Sequence, residues 1–201
     1  MVSLAGVVTL YAVAIVVIGP PMYPPELRAS FLARPWGIYS HAFFGAVAMI
    51  LGPFQFHPGL RRNRVRHRTL GKGYVAASLL AGMAGLYMAP YSFGGIVTHL
   101  GFGGLAVSLL TATGMAYWSI KHRRVAEHRE WMIRSYALIY AAVALRILIP
   151  LLMVATQGNF ALTYRTVSWL CWVPNVLLAE LIVRRSRPSA VPLLAGAWGS
   201  R

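Results

Sequence analysis

Four histidines stand in a pattern that chemistry can use. His41 opens the string His41-Ala42-Phe43-Phe44-Gly45-Ala46-Val47-Ala48, and His99 opens His99-Leu100-Gly101-Phe102-Gly103-Gly104-Leu105-Ala106. Both read H-x-x-F-G-x-x-A. Downstream, His67-Arg68 precedes Lys72-Gly73-Tyr74-Val75-Ala76, and His128-Arg129 precedes Arg134-Ser135-Tyr136-Ala137. His41 and His67 are 26 residues apart, His99 and His128 are 29 apart. Short motifs recurring in order at like spacing read as an internal duplication. Two imidazoles on facing helices supply both axial nitrogens of a b-type haem. The duplication therefore offers an outer pair, His41 with His99, and an inner pair, His67 with His128. Gly45 and Ala48 follow His41, and Gly103 and Ala106 follow His99, within about 40° on the same helical face. Such a face admits a flat porphyrin edge where a leucine would block it. The inner pair lies among arginines and Lys72, which suit propionates. The plainer readings stand beside this one: small residues also mean close helix packing, and a boundary histidine also serves as a polar anchor or cap. His57 and His122 have no repeat partner and read as solvated loop residues.

The remaining polar groups are few. The four acidic residues are all glutamates, and no P-loop, serine-histidine-aspartate set or paired catalytic carboxylate is present. Hydrolytic chemistry has few actors here. The single cysteine, Cys171, has no disulfide partner in the chain and belongs to no cluster that would hold zinc or iron–sulfur. Arg146 and Asn175 fall deep inside apolar stretches and Glu180 near the end of one. A mid-bilayer arginine must face the bundle interior and find oxygen partners. Asn175 is the partner expected for Arg146, and Glu180 is within reach of Arg134 or Arg146. A polar clamp between the last two helices is favoured over a proton or substrate path.

The elements that position these groups follow from composition. The 201 residues are 58% hydrophobic and 11% charged, and the mean hydropathy is +0.60. Water-soluble domains carry about 25% charged residues, so a soluble enzyme, a disordered tail and a disulfide-knotted module are excluded. The chain reads as a single all-α, polytopic membrane domain over residues 1–201. Six transmembrane helices are expected, over Ser3–Gly19, Trp36–Pro58, Gly73–Pro90, Gly94–Trp118, Ser135–Thr156 and Thr166–Val183, with a duplicated four-helix centre and a short tail over 187–201. Pro20, Pro21, Pro24 and Pro25 predict an extended loop after the first span. Pro53, Pro150 and Pro174 predict kinks, with Gln55 near enough to satisfy a carbonyl freed by Pro53. Gly104, Ser108, Ala112 and Ala116 form a small-residue stripe for close packing. Fifteen of the nineteen Lys and Arg fall on one side of the bilayer, three on the other, and Arg146 inside a span. This charge bias predicts a cytoplasmic membrane protein with both termini in the cytoplasm. It also accounts for the net charge of +15 without nucleic acid.

Two resemblances rest on these residues. Gly52-Pro53-Phe54-Gln55-Phe56, His67-Arg68-Thr69-Leu70-Gly71-Lys72 and His128-Arg129-Glu130-Trp131-Met132-Ile133-Arg134-Ser135-Tyr136-Ala137 resemble an uncharacterised family of predicted bacterial membrane proteins, domain of unknown function 2306. The arrangement as a whole is similar to cytochrome b561-type membrane haem proteins, with six spans, a duplicated centre and histidines on alternating helices. The function expected is an electron carrier holding one or two b-type haems, which exchanges electrons with a quinol or another redox partner. The competing expectation is a haem-free scaffold or accessory subunit of a larger membrane complex. A transporter is disfavoured, because the repeat runs parallel and the sequence offers no evident pair of broken helices.

Overall fold

The computed structural model describes residues 6, 9–11, 14–15 and 17–187. The span expected over 3–19 falls partly outside these residues, and the tail from 188 onward lies wholly outside them. Nine α-helices follow Pro20 among the described residues: α1 Pro25–Ala33, α2 Pro35–Phe56, α3 Pro58–Arg62, α4 Arg64–Met88, α5 Ile96–Lys121, α6 Val125–Ile139, α7 Ala141–Ala155, α8 Phe160–Leu170 and α9 Val173–Ser186. Among the described residues, five stretches are long and apolar enough to cross a membrane: Pro35–Phe56, Arg64–Tyr91, Ile96–Lys121, Val125–Ala155 and Phe160–Ser186.

Three spans begin earlier than hydropathy suggests. α4 starts at Arg64, α6 at Val125 and α8 at Phe160. The side chain of Asn63 accepts a hydrogen bond from Arg66 N, and that of Asn159 accepts one from Leu162 N. These are N-caps, which satisfy backbone donors left open at a helix start. Arginine and lysine are good helix formers whose stems lie along apolar surface while the charge reaches water. The hydrocarbon boundary therefore ends the apolar run without ending the helix, and His67 and His128 lie within helices rather than in loops.

The proline-rich segment is not extended either. Pro20–Met22 forms a 3₁₀ turn and Pro25 starts α1. Proline costs nothing at the first helical position, where no N–H partner exists, and Glu26 in the first turn complements the helix dipole. Ser30 Oγ donates to the Tyr91 carbonyl at 2.9 Å, and the Arg34 guanidinium lies 3.4 Å from the centre of the Tyr91 ring. These contacts hold α1 across one end of the bundle.

Four helical segments form the centre. α2 packs on α4, α4 on α5, α5 on α6, and α6 back on α2. This cyclic order makes α2 and α5 one diagonal, α4 and α6 the other. Between them lies a packed layer of Ala48, Met49, Tyr74, Ala77, Ala112, Ala116 and Met132. Tyr74 Oη and Thr113 Oγ1 each lie 2.8 Å from Ser135 Oγ, tying α4, α5 and α6 at one buried point. Lipid removes the hydrophobic drive between helices, so such bonds and close packing hold the bundle. Ala112 and Ala116 of the small-residue stripe are buried as expected, and Gly104 packs against the Trp172 ring.

The last two spans are interrupted. The helix runs through Pro53 and Pro150, but breaks at Tyr140 and again at Cys171–Trp172, just before Pro174. Both interruptions are short: Tyr140 keeps helical dihedrals with i→i−4 bonds on either side, and each stretch still forms one span. Beyond Tyr140, α7 packs on α8, so this half of the span leaves the four-helix square. Gln55 does not serve Pro53: it is buried over Gly71, and its Nε2 has no partner.

Candidate functional site

Where α7 leaves the square, a cavity of about 310 Å³ opens at the end of the bundle that carries His41. Volumes of roughly 300–1,000 Å³ are usual for small-molecule sites. Its walls come from α2, α4, α5, α7 and the end of α6, with Tyr164 of α8, Tyr11 and Ile15 beside them and α1 across the end. The lining is mostly apolar, including Phe102, Leu105, Leu109 and Ile149; His41 and Arg146 supply its strongest polar groups.

His41 is held from behind. Its Nδ1 donates to the Ala81 carbonyl on α4 at 3.1 Å, which leaves Nε2 as the basic nitrogen. A histidine metal ligand is commonly oriented by such a bond from its other nitrogen. The ring lies over Gly85, where an added Cβ would stand 3.1 Å from Nδ1. His41 is exposed and borders the cavity. Gly45, one turn along α2, has open space beside it.

The other predicted residues divide. Ala106 lines the cavity with Gly45, whereas Ala48 is in the packed layer and Gly103 faces Ala89. His99 stands on the same face of α5 as Phe102 and Ala106, but its ring is not part of the lining. Its Nε2 donates to the Ser92 carbonyl at 3.0 Å, and Ser92 itself borders the cavity. At the basic end, His128 Nδ1 donates to the Ala116 carbonyl at 2.8 Å. His67, across the bundle on α4, lies within electrostatic range of His128, and its Nδ1 is buried with no partner. His57 is exposed between α2 and α3; His122 is exposed and donates back to the Trp118 carbonyl.

The polar clamp is built differently from expectation. Arg146 does not meet Asn175. Its Nη1 donates to Ala142 O in its own helix at 2.8 Å, and its guanidinium carbon lies 4.9 Å from the centre of the Tyr11 ring. Asn175 Nδ2 instead donates to Ala137 O at 3.3 Å and to Cys171 O at 3.1 Å. Each carbonyl lies beside one of the two helix breaks, so one amide pins both. Non-helical backbone at membrane depth needs such substitute partners. Glu180 takes Arg134 in a bidentate pair, Nε to Oε1 at 2.5 Å and Nη2 to Oε2 at 3.0 Å, which joins α6 to α9.

A family model described as "Predicted membrane protein (DUF2306)" matches residues 38–183. The chain belongs to this family. No curated protein and no solved structure matches the chain. The DUF2306 segment contains all four histidines of the repeat, both helix breaks, Arg146, Asn175 and Glu180.

Sequence reasoning missed Gly85, Ala81 and Tyr140. Ala81 and Gly85 are small residues at four-residue spacing, a signal for close approach that was available in the third span. Tyr140 carried none, because a break without proline or glycine leaves no mark in a single sequence.

Proposed function

We propose that this protein is an integral membrane b-type haem protein that carries electrons within or across the cytoplasmic membrane. The observation that carries the reading is the placement of the two histidine pairs on the two diagonals of one four-helix centre: His41 and His99 on α2 and α5, His67 and His128 on α4 and α6. Diagonal helices stand farther apart than the 8–10 Å of direct neighbours, and bis-imidazole ligation needs that spacing.

The residues around His41 fit such a group. The Ala81 carbonyl fixes the ring and leaves Nε2 free, Gly85 lets the ring lie close to α4, and Gly45 and Ala106 keep the walls low. In this reading His41 and His99 would hold the group, His99 giving up the Ser92 carbonyl, since the face of α5 on which it stands leads into the cavity. A second site at His67 and His128 is supported by the unpartnered His67 Nδ1 and by the Ala116 carbonyl behind His128. When bound, haem supplies a one-electron couple, and the protein supplies ligation, orientation and an apolar setting. The donor in this reading is a quinol or a cytoplasmic reductant.

The test is an absorption spectrum of the purified protein, expressed with ample haem and reduced. A low-spin b-type spectrum is expected, and His41→Ala or His99→Ala should each abolish the component from the outer site. A colourless protein would leave the scaffold reading in its place.

A further inference from the structure

Arg146 is the only formally charged residue on the described wall of the cavity, and it has no counter-ion among the described residues. All four glutamates are accounted for. Glu127 pairs with Arg124, Glu130 with Arg134 and Arg187, and Glu180 with Arg134; Glu26 is exposed on α1 and off the cavity wall. Arg146 Nε is buried and unpartnered, and the bond from Nη1 to Ala142 O is its one hydrogen bond among the described residues. A guanidinium at membrane depth is costly unless an anion or several oxygens surround it. Here one carbonyl and one aromatic ring do so, beside an open cavity.

The shape and chemistry of that space limit what fits. Most of the wall is aliphatic or aromatic, so the occupant has an apolar body. The guanidinium fork matches a carboxylate or a phosphate. A single cation balances one negative charge, while a phosphate monoester carries close to two at neutral pH, and no second cation lines the cavity among the described residues. We propose that the cavity binds an apolar molecule through its carboxylate, with Arg146 as the counter-ion. Two sources share this chemistry: a propionate of haem, for which the inference rests on the reading above, and a free long-chain fatty acid, for which it does not.

The experiment compares each acid with its ester. Haem and its dimethyl ester, and a long-chain fatty acid and its methyl ester, are titrated into the purified full chain and into Arg146→Gln and Arg146→Lys. Wild type should favour an acid over its ester by about tenfold or more, the strength of one charge-assisted pair. Arg146→Gln should lose the preference and Arg146→Lys retain most of it. The pattern with haem alone identifies a propionate as the occupant's anion. The pattern with fatty acid alone supports the carboxylate site, and overturns the haem reading only if haem also fails to bind. Equal binding of acid and ester in both pairs, no binding of either pair, or a preference unchanged in Arg146→Gln overturns the proposal. Should Arg146→Gln fail to fold, the acid–ester comparison in wild type and in Arg146→Lys decides.

Discussion

His41 and His128 share one arrangement: Nδ1 donates to a carbonyl of a neighbouring helix, leaving Nε2 unspoken for. A carbonyl behind the ring fixes tautomer and orientation together. For His41 the device depends on Gly85, since a Cβ there would sit within 3.2 Å of two ring atoms. Gly85→Val should turn the ring off the Ala81 carbonyl and weaken haem binding by about tenfold, as loss of an orienting partner does; a haem titration checks this, and a wild-type titration would show that the ring does not stay against α4. Asn175 acts on the backbone instead. Asn175→Leu removes both donors at the helix breaks and should cost on the order of 1–3 kcal/mol. Thermal unfolding in detergent measures it, and an unmoved midpoint would mean that other donors serve Ala137 and Cys171.

At the scale of elements, of the two polar links expected for the last spans, Glu180 meets Arg134, one of its two expected partners, and Arg146 does not meet Asn175. Arg134 and Glu180 join α6 to α9 through a half-buried bidentate pair, whereas Arg146 bonds only within α7. Glu180→Gln should therefore lower stability by about 1 kcal/mol, the upper range for partly exposed pairs. Arg146→Leu should leave the unliganded protein as stable as wild type or more so, because it removes a charge that no described residue neutralises. Parallel melts of the two variants separate these roles, and a larger loss from Arg146→Leu would restore the inter-helix clamp. The break at Tyr140 matters at this scale too. It lets α6 close the packed layer while α7 sides with α8, and the space between becomes the cavity.

Across the whole molecule, charge and cavity lie at opposite ends. The α2–α4 and α5–α6 connections and the end of α9 carry Arg61, Arg62, Lys121, Arg123, Arg184 and Arg185, while His41 and the cavity lie toward the α4–α5 connection. The positive-inside bias predicts that the basic end is cytoplasmic. Reporter fusions after Asn63 and after Gly94 should report opposite sides, cytoplasmic for the first; the same side for both would break the helix order described here.

Much of this organisation was legible in the residues. Apolar runs, basic loops and the paired H-x-x-F-G-x-x-A strings locate five described spans and the four histidines, because hydropathy and charge act on each segment independently of the others. Helix starts were less legible: the caps at Asn63 and Asn159 outlast the apolar run, so Arg64 to Lys72 are helical although they read as loop. Partner choice was legible only in part: Arg134 was one of two partners open to Glu180, and the Arg146–Asn175 pairing expected is absent. For Arg146, Asn175 and Glu180, which one meets which depends on how α6, α7 and α9 rotate against each other. That rotation is fixed by packing across the bundle and by a break at Tyr140 that no local residue signals. The cavity has the same origin, since an empty space is a property of several helices at once and of none of their sequences alone.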